Sequence, residues 1–241
     1  MTPAKLAALI RYKTRTNSTT FTDADMLPLV NTFKDEIASM IVERNSSMFL
    51  LPATDDLVAN QREYPIPDDR LSRLHKVEIK FASGDSRFPA SAIKDYQGSE
   101  TESEIVKQFS NDEGGFAYTI RRRALLILSG TIIAVTDGLR IWYHSYPADL
   151  ANLTEATTDM YTDPSTTTHG FPRQFHELLA RRVSIEYKGS RPKPIPLSES
   201  ERNYPRDLET QIAAISTEDE SLEIISEMPP SGEFGNDGFD Y

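Results

Sequence analysis

Histidines are the first residues in this sequence whose chemistry could serve catalysis or metal binding. His144 lies in the apolar run LRIWYHSY, and His176 lies beside Glu177 in a segment with helical periodicity. No HExxH-type spacing and no accompanying nucleophile is found, so a zinc enzyme is not indicated. The sequence contains no cysteine, which excludes disulfides, cysteine nucleophiles and thiolate metal sites. We interpret both histidines as structural or surface residues, and we expect no catalytic residue, no metal and no cofactor.

Two pairs of adjacent aspartates are the next candidates. Asp55-Asp56 and Asp68-Asp69 could supply the two carboxylates of a glycoside hydrolase. Asp clusters beside proline are also common in turns, because a short carboxylate accepts hydrogen bonds from nearby backbone N–H groups. The turn interpretation is favoured, and we predict that the protein is not an enzyme.

A run of three arginines is a candidate partner-binding site. Arg121, Arg122 and Arg123 could contact DNA phosphates or the carboxylates of a partner. A charged strand end or turn would have the same composition, and that interpretation is kept beside the first.

The C-terminal residues 217–241, here called the acidic tail, carry most of the net charge. They contain eight acidic residues and no Lys or Arg. The whole chain has a formal net charge of −11, so the remaining residues 1–216 carry only −3. Phe234, Phe239 and Tyr241 are spaced like anchors of a segment that orders on a partner. We predict that these three aromatic residues bind a partner.

Two N-terminal helices precede these candidates in the chain. Residues 3–15 predict a short first helix, and residues 23–45 predict a longer amphipathic one. One face of the second helix is predicted from residues that recur three or four positions apart: Met26, Val30, Phe33, Ile37, Met40 and Arg44. Asn31, Lys34, Asp35 and Glu43 are predicted to point away from this face. Thr22 and Asp25 resemble a capping box. Pro28 indicates either a kink or a later start with Asp25 as the cap.

The middle of the chain has the pattern of strands. Segments with Pro52, Pro65 and Pro67 are typical of edge strands, and residues 75–81 alternate as a half-buried strand does. Residues 100–109 predict a short helix. Four apolar runs, at 116–120, 124–128, 131–135 and 139–146, predict an antiparallel meander with turns at Ser129-Gly130 and Asp137-Gly138. These strands are so apolar that we expect a helix or a neighbouring subunit to cover at least one face.

Two further helices are predicted near the C-terminus. Phe175, Leu179, Val183 and Tyr187 form a stripe on a helix that Gly189 ends. RPKPIPLS predicts a rigid extended spacer, and Ser198 with Glu201 forms a capping-box pattern after it. An apolar face of Tyr204, Leu208, Ile212 and Ile215 continues to Ser216, and Pro205 indicates a kink or a helix start at Asn203.

The predicted fold class is α+β, with a four-helix-type bundle formed by the N- and C-terminal helices, an inserted antiparallel β domain and an extended acidic tail. The predicted parts are the N-terminal bundle helices 1–47, the β domain 48–150, a connector loop 151–170, the C-terminal bundle helices 171–216 and the acidic tail 217–241. The connector is rich in Thr and Asp and long for a loop without regular structure, so it is a candidate for functional contact.

Composition is that of a soluble globular protein, with 38% hydrophobic and 26% charged residues. No window of about 18 apolar residues is present, and the apolar run near the start is too short for a secretory signal. We expect a protein that is made and used in the cytosol, or in a particle assembled there, without contact to a membrane.

Three stretches resemble a known family in their residues and in their order along the chain. They are TNSTTFTDADMLPLVNTFKDEIASMI at residues 16–41, NQREYPIPDDRLSRLHKVEI at 60–79 and FPRQFHELLARRVSIEYK at 171–188. Together they resemble the head-to-tail adaptor proteins of tailed bacteriophages, also called connector or head-completion proteins, in the broad group that includes tail tubular protein A. The resemblance covers roughly residues 16–80 and 170–215, whereas the meander fits only in kind and the acidic tail is outside it.

The resemblance implies a virion structural protein, assembled in the host cytoplasm. Members of that family form a ring homo-oligomer, commonly a dodecamer, which docks beneath the portal protein and continues the DNA channel toward the tail. The implied partners are therefore other copies of the chain, the portal, and tail or further adaptor or nozzle proteins, with DNA passing through the lumen without specific binding. The alternative hypothesis is a tail-associated module that binds or cleaves glycans, with the Asp-rich turns, exposed tyrosines and Trp142 as its site.

Overall fold

The fold is mixed α+β, as predicted. The structure is a computed structural model that describes residues 1–44, 47–67, 70–80, 82–93, 116–121, 124–128, 132–163 and 168–226, with the backbone alone at 70–73 and 216–226. The helices among these residues are α1 (Pro3–Thr14), α2 (Asp23–Arg44), α3 (His176–Gly189, preceded by a 3₁₀ turn at Arg173–Phe175), α4 (Glu199–Arg202) and α5 (Tyr204–Ser226). The strands are β1 (Leu50–Leu57), β2 (Glu63–Pro65), β3 (Arg70–Ile79), β4 (Phe88–Pro89), β5 (Ser91–Ala92), β6 (Ala117–Arg121), β7 (Ala124–Ile127) and β8 (Val135–Ser145).

Local sequence signals set the starts of the helices. Helix α2 begins at Asp23, because the Thr22 hydroxyl accepts a hydrogen bond from the backbone N–H of Asp25 at 3.2 Å and donates one to the Asp25 carboxylate at 2.6 Å. Pro28 lies inside the helix, so the alternative of a later start capped by Asp25 is wrong. The predicted capping box at Ser198 and Glu201 is confirmed at the start of α4.

Helix α5 continues beyond its predicted end. Its apolar face is confirmed, since Tyr204, Leu208, Ile212 and Ile215 are buried. The helical backbone extends to Ser226, past the predicted boundary at residue 216. The remaining residues of the acidic tail, 227–241, lie outside the described residues, as do the predicted helix at 100–109 and the turn at Ser129-Gly130.

Helices α1, α2, α3 and α5 share one hydrophobic core and are here called the helical layer. Helix α3 packs against α1, α2 and α5. The core side chains are completely or almost completely buried, and they include Leu6, Ile10, Met26, Val30, Ile37, Ile41, Phe175, Leu179 and Val183. Met40, which the pattern placed on the apolar face of α2, is partly exposed at its edge. The predicted stripes of α2 and α3 therefore face each other across this core.

Two four-stranded sheets form the β region. Their strand orders are β1-β8-β3-β4 and β2-β7-β6-β5. The pairing is antiparallel except between β5 and β6, which are parallel. Pro52 and Pro65 lie on β1 and β2, each at the edge of its sheet, so the edge-strand prediction is confirmed for these two, whereas Pro67 lies after β2.

The predicted meander is wrong, because its strands belong to different sheets. Strands β6 and β7 form a hairpin in one sheet, whereas β8 is a long central strand of the other. Asp137-Gly138 is not a turn but lies inside β8, where Asp137 has a φ of 50° and the register with β1 shifts between Asp55 and Leu57. A Cβ on Gly138 would come within 2.8 Å of the Leu57 side chain. The same Asp-Gly pair that favours a hairpin turn therefore serves a β-bulge here.

The two sheets pack face to face and are here called the β sandwich. Apolar side chains from both sheets meet in its core, including Val77, Ile79, Leu139 and Ile141 from one sheet and Tyr64, Tyr118, Leu125 and Ile127 from the other. The sequence predicted a helix or neighbouring subunit as the cover, but the cover of this inner face is the second sheet. Side chains on the outer face of β6 and β7, Ala117 and Leu126, are also buried within the chain.

Candidate functional site

A buried lysine joins the helical layer to the end of the β sandwich. Lys34 on α2 is completely buried, so the prediction that it points away from the apolar face is wrong. Its ammonium group donates hydrogen bonds to the carbonyl oxygens of Pro147 at 2.7 Å and Ala148 at 2.9 Å, and to the Asp149 carboxylate at 2.7 Å. The side-chain amide of Asn31 also pairs with the backbone N–H and C=O of Leu150, at 3.0 and 3.2 Å. Residues 147–150, which follow β8, are therefore fixed to α2.

The described part of the connector, residues 151–163, packs on the start of α1. Leu153 and Met160 are buried in the core of the helical layer. The backbone N–H of Ala4 donates to the carbonyl of Glu155 at 2.9 Å, and the N–H of Met160 donates to the carbonyl of Met1 at 3.1 Å. These contacts give the connector a structural role in positioning α1. The predicted functional contact of this segment stays a prediction.

The two candidate histidines are buried side chains. The Nε2 atom of His176 lies 2.8 Å from the carbonyl oxygen of Phe171, and burial lowers the pKa of this imidazole. His144 is buried at the end of β8 and meets His75 edge to face, with ring centroids 5.8 Å apart. Both positions fit the structural interpretation made from the sequence.

The residues of the glycan hypothesis take part in contacts within the β sandwich. The Asp56 carboxylate accepts a hydrogen bond from the backbone N–H of Asp137 at 2.7 Å, which stabilises the bulge in β8. The indole N–H of Trp142 donates to the Glu78 carboxylate at 3.0 Å. Asp68 and Asp69 lie outside the described residues.

Only one of the six predicted partner-binding residues is described. Arg121 is exposed at the last position of β6, opposite Ala124 in the hairpin, which is the strand end that the alternative interpretation predicted. Arg122, Arg123, Phe234, Phe239 and Tyr241 lie outside the described residues. Their partner-binding role stays a prediction.

A groove of about 840 Å³ lies where α1 and α3 end. One wall is the last turn of α1 and the residues that follow it, from Arg11 to Thr16, and the opposite wall is the spacer from Ile195 to Ser198. Tyr12 stands at the rim with 82% of its surface exposed, and Ile195 is 37% exposed. The sequence predicted the spacer as extended and rigid, but it gave no indication of a groove beside it.

The floor of the groove is a buried ion pair. The Lys188 ammonium, in the last turn of α3, lies 2.7 and 2.8 Å from the two carboxylate oxygens of Glu201. The Glu201 carboxylate also accepts hydrogen bonds from the hydroxyl of Ser184 at 3.0 Å and from the backbone N–H of Ser198 at 2.7 Å. Burial alone would raise the pKa of Glu201, but the bonds from Lys188 and Ser198 outweigh it and lower the pKa to about 2. The pair therefore fixes the spacer and α4 onto the end of α3.

Basic side chains lie around the groove, and some of them have an acidic partner within the chain while others have none among the described side chains. Arg11 binds Asp23 at 2.5 Å, and Lys13 lies 3.7 Å from Glu177. Cations in the last turn of a helix also offset its C-terminal dipole, so these two charges are partly used within the chain. Arg15, which follows α1, and Lys193, in the spacer, have no acidic partner within 4.0 Å among the described side chains. Arg15 gives the groove an exposed positive charge, and Lys193 adds a second exposed cation two positions before the wall residue Ile195.

Sequence reasoning missed the buried positions of Lys34 and Lys188, although a signal for Lys34 is present. Each lysine belongs to a row of helix residues spaced by four positions, and every member of both rows is buried in the structure. The rows are Met26-Val30-Lys34-Ala38-Val42 on α2 and His176-Ala180-Ser184-Lys188 on α3. A lysine inside an i, i+4 row of small or apolar residues faces the same side as its neighbours. The first row is otherwise apolar and predicts that Lys34 is a buried cation in need of partners, whereas the second row contains His176 and Ser184 and does not mark Lys188 as buried.

The comparisons with known proteins give no identity. No protein-family model matches the chain, and a comparison with curated proteins finds no significant match. Within the described residues, no helix is long and apolar enough to cross a membrane, and no group of three or more His, Asp or Glu side chains is arranged to hold a metal ion.

Proposed function

We propose that the protein is a virion structural protein, a ring-forming head-to-tail adaptor of a tailed bacteriophage. The observation that supports this best is that the helical layer has two different surfaces at opposite ends. One is the groove with its basic rim. The other is the end of α5, from which the acidic tail continues.

The course of α5 separates these two surfaces. The helix begins next to the groove, because Glu201 just before it binds Lys188 at the end of α3. It then runs antiparallel to α3: Asp207 binds Arg181 at 2.5 Å, and Thr210 and Gln211 share a cleft with residues near the start of α3. A helix of the length of α5 spans about 33 Å. The acidic tail therefore continues from the end of the layer that is far from the groove.

Two unlike surfaces on one chain are what a closed ring requires. In a ring each subunit contacts its neighbours through two different, mutually complementary patches, and association continues until the rotation closes. In the proposed adaptor, the four long helices form a four-helix-type bundle and the β sandwich is inserted between its N- and C-terminal halves. The ring docks beneath the portal protein and continues the DNA channel toward tail or further adaptor proteins.

Charge distribution fits passage of DNA through such a ring. Residues 1–216 carry a net charge of only −3, and the acidic tail carries eight negative charges. A lumen without a dense lysine and arginine surface neutralises few phosphates, so DNA would slide rather than bind. The proposed adaptor therefore encloses DNA without recognising its sequence.

Imaging and binding measurements on the full chain test this proposal. Negative-stain images and mass photometry are expected to show rings with a central channel at micromolar concentration. A binding assay with duplex DNA at physiological salt is expected to give no tight complex, and tight binding would contradict the non-adhesive lumen. A protein that stays monomeric and binds saccharide would contradict the adaptor and favour the glycan-binding alternative.

A further inference from the structure

We infer that the groove between α1 and the spacer binds the end of the acidic tail of a second copy of this chain. The inference deepens the proposed ring by naming the contact between neighbouring subunits, and it rests on that proposal. The occupant is the tail beyond Ser226, with Phe234, Phe239 and Tyr241 as its apolar anchors.

The length of the tail favours binding in the groove of a second copy over binding in the groove of the same chain. Helix α5 ends about 33 Å from the groove at which it starts. An extended chain advances at most about 3.4 Å per residue, so Phe234, the eighth residue after Ser226, reaches back no more than about 27 Å. Phe239 and Tyr241, 13 and 15 residues after Ser226, reach up to about 44 and 51 Å, so length alone does not keep these two from their own groove. A single chain therefore cannot place all three anchors in its own groove.

Chemical complementarity favours this occupant. The tail beyond Ser226 has four acidic residues, Glu227, Glu233, Asp237 and Asp240, and no basic residue. Arg15 lines the groove and has no acidic partner within 4.0 Å among the described side chains, and the exposed Lys193 lies two positions before Ile195 of the opposite wall. Ile195, Pro196 and Leu197 on that wall form an apolar strip that suits aromatic side chains. An acidic peptide with aromatic anchors thus finds both kinds of contact in the groove.

The buried ion pair makes the groove a preformed receptor. Lys188 and Glu201 satisfy each other below the surface, so neither is available to the incoming tail. Their role is to hold the spacer wall at a fixed distance from α1. A groove that is built before binding loses less conformational entropy on association than a flexible one does.

Disulfide trapping between two single variants tests the contact directly, because the natural chain has no cysteine. One sample carries Ile195→Cys in the groove, and the other carries Phe239→Cys in the tail. The two full-length proteins are mixed and oxidised with diamide. We expect a covalent heterodimer at several times the yield given by a control that pairs Phe239→Cys with Val58→Cys, whose native valine is 49% exposed outside the groove.

The outcomes separate this inference from the proposed function. Rings without a heterodimer yield above the control would overturn the groove contact and leave the adaptor proposal standing. A specific heterodimer without rings would support the contact and contradict the adaptor. If the double variant on one chain forms only an intramolecular disulfide and the mixed sample forms no heterodimer, the tail binds in cis and the inference is wrong.

Charge reversal provides a second, independent measurement. Arg15→Asp with Lys193→Glu should weaken self-association roughly tenfold, as the loss of two partly exposed charge pairs does. Asp237→Lys with Asp240→Lys should do the same, and combining all four substitutions on one chain should restore association. The matched control is Lys5→Glu with Arg206→Glu, two exposed cations in first helical turns, where glutamate is tolerated. An equal loss in the control, or no recovery in the combined variant, would overturn the inference.

Discussion

The helical layer and the β sandwich use buried polar groups in different ways. Among the described side chains, the buried charged residues Lys34, Lys188 and Glu201 all belong to helices, and each holds an irregular segment against a helix. The core of the β sandwich is apolar apart from tyrosine hydroxyls, and the Tyr64 hydroxyl accepts a hydrogen bond from Val58 N–H at 3.0 Å.

This difference follows from how each region satisfies its backbone. Strands pair with one another through their own N–H and C=O groups, so apolar packing is enough to hold two sheets together. Residues 147–150 and 195–198 belong to no sheet, and several of their backbone groups bind buried side chains instead. The groove that we assign to assembly is therefore stabilised by buried charge, whereas the sandwich is stabilised by burial of apolar area.

Breaking the ion pair under the groove should give the largest effect. Lys188→Met leaves the Glu201 carboxylate buried without its counter-ion, which should lower the free energy of unfolding by about 3–5 kcal/mol. Denaturant unfolding followed by far-ultraviolet circular dichroism, which is dominated by the helices, measures this loss. Lys188→Met combined with Glu201→Met should recover much of it, since two apolar side chains leave no unpaired charge. A double variant as unstable as the single one would contradict this assignment.

A cavity in the β sandwich should cost about 3 kcal/mol. Ile127 is completely buried between the sheets, so Ile127→Ala removes apolar contacts and leaves a void. Trp142, the only tryptophan, lies on β8 and reports sandwich unfolding through its fluorescence. The matched control is Ile120→Ala on the same sheet, where the side chain is half exposed, and it should change stability by less than about 1 kcal/mol. Equal losses in both variants would show that the sandwich core is not at Ile127.

Acid should weaken the groove end through Glu201. The folded pKa of this carboxyl is about 2, below its ordinary value of 4.5, so its stabilisation is complete above pH 4.5 and is lost as the pH falls toward 2. A shift of this size corresponds to about 3 kcal/mol. Glu201→Gln should therefore show a flatter dependence of stability on pH between these values than the natural chain does. Parallel pH profiles for the two proteins would contradict the low pKa.

Removing the link between the two regions should have a smaller effect on stability. Lys34→Met leaves the carbonyls of Pro147 and Ala148 without their donor, at a cost of about 2 kcal/mol. Because Lys34 ties the segment after β8 to α2, we also expect the circular dichroism and tryptophan transitions to separate. Lys5→Met, at an exposed position of α1, is the control and should leave both transitions unchanged. Coincident transitions in Lys34→Met would show that the two regions are coupled elsewhere.

Local features of the fold could be predicted from sequence, whereas pairing across long distances could not. Thr22 and Ser198 mark helix starts because capping is decided within four residues, and the stripe of Phe175, Leu179 and Val183 is decided within one helix. The pattern of β8 says that it is a strand but not which sheet it joins, so it was assigned wrongly to a meander.

The groove was unpredictable for the same reason. Lys188 and Glu201 are thirteen positions apart, and only the packing of α4 on α3 brings them together. The row that includes Lys188 also contains His176 and Ser184, so its pattern neither marks the lysine as buried nor identifies the carboxylate that pairs with it. The partner-binding residues of the acidic tail were proposed from composition, and their receptor on the helical layer could be proposed only after the helices had been placed.

The proposed adaptor function requires that this chain assembles into a ring on a portal. Electron microscopy of the full-length protein mixed with its cognate portal tests this most directly. We predict class averages in which a ring of this protein is stacked coaxially on the portal and extends its channel. We also predict that truncation after Ser226 abolishes the ring, while the circular dichroism spectrum of the truncated protein stays that of a folded chain. Portal particles without any added density, beside monomers of this protein, would contradict the account.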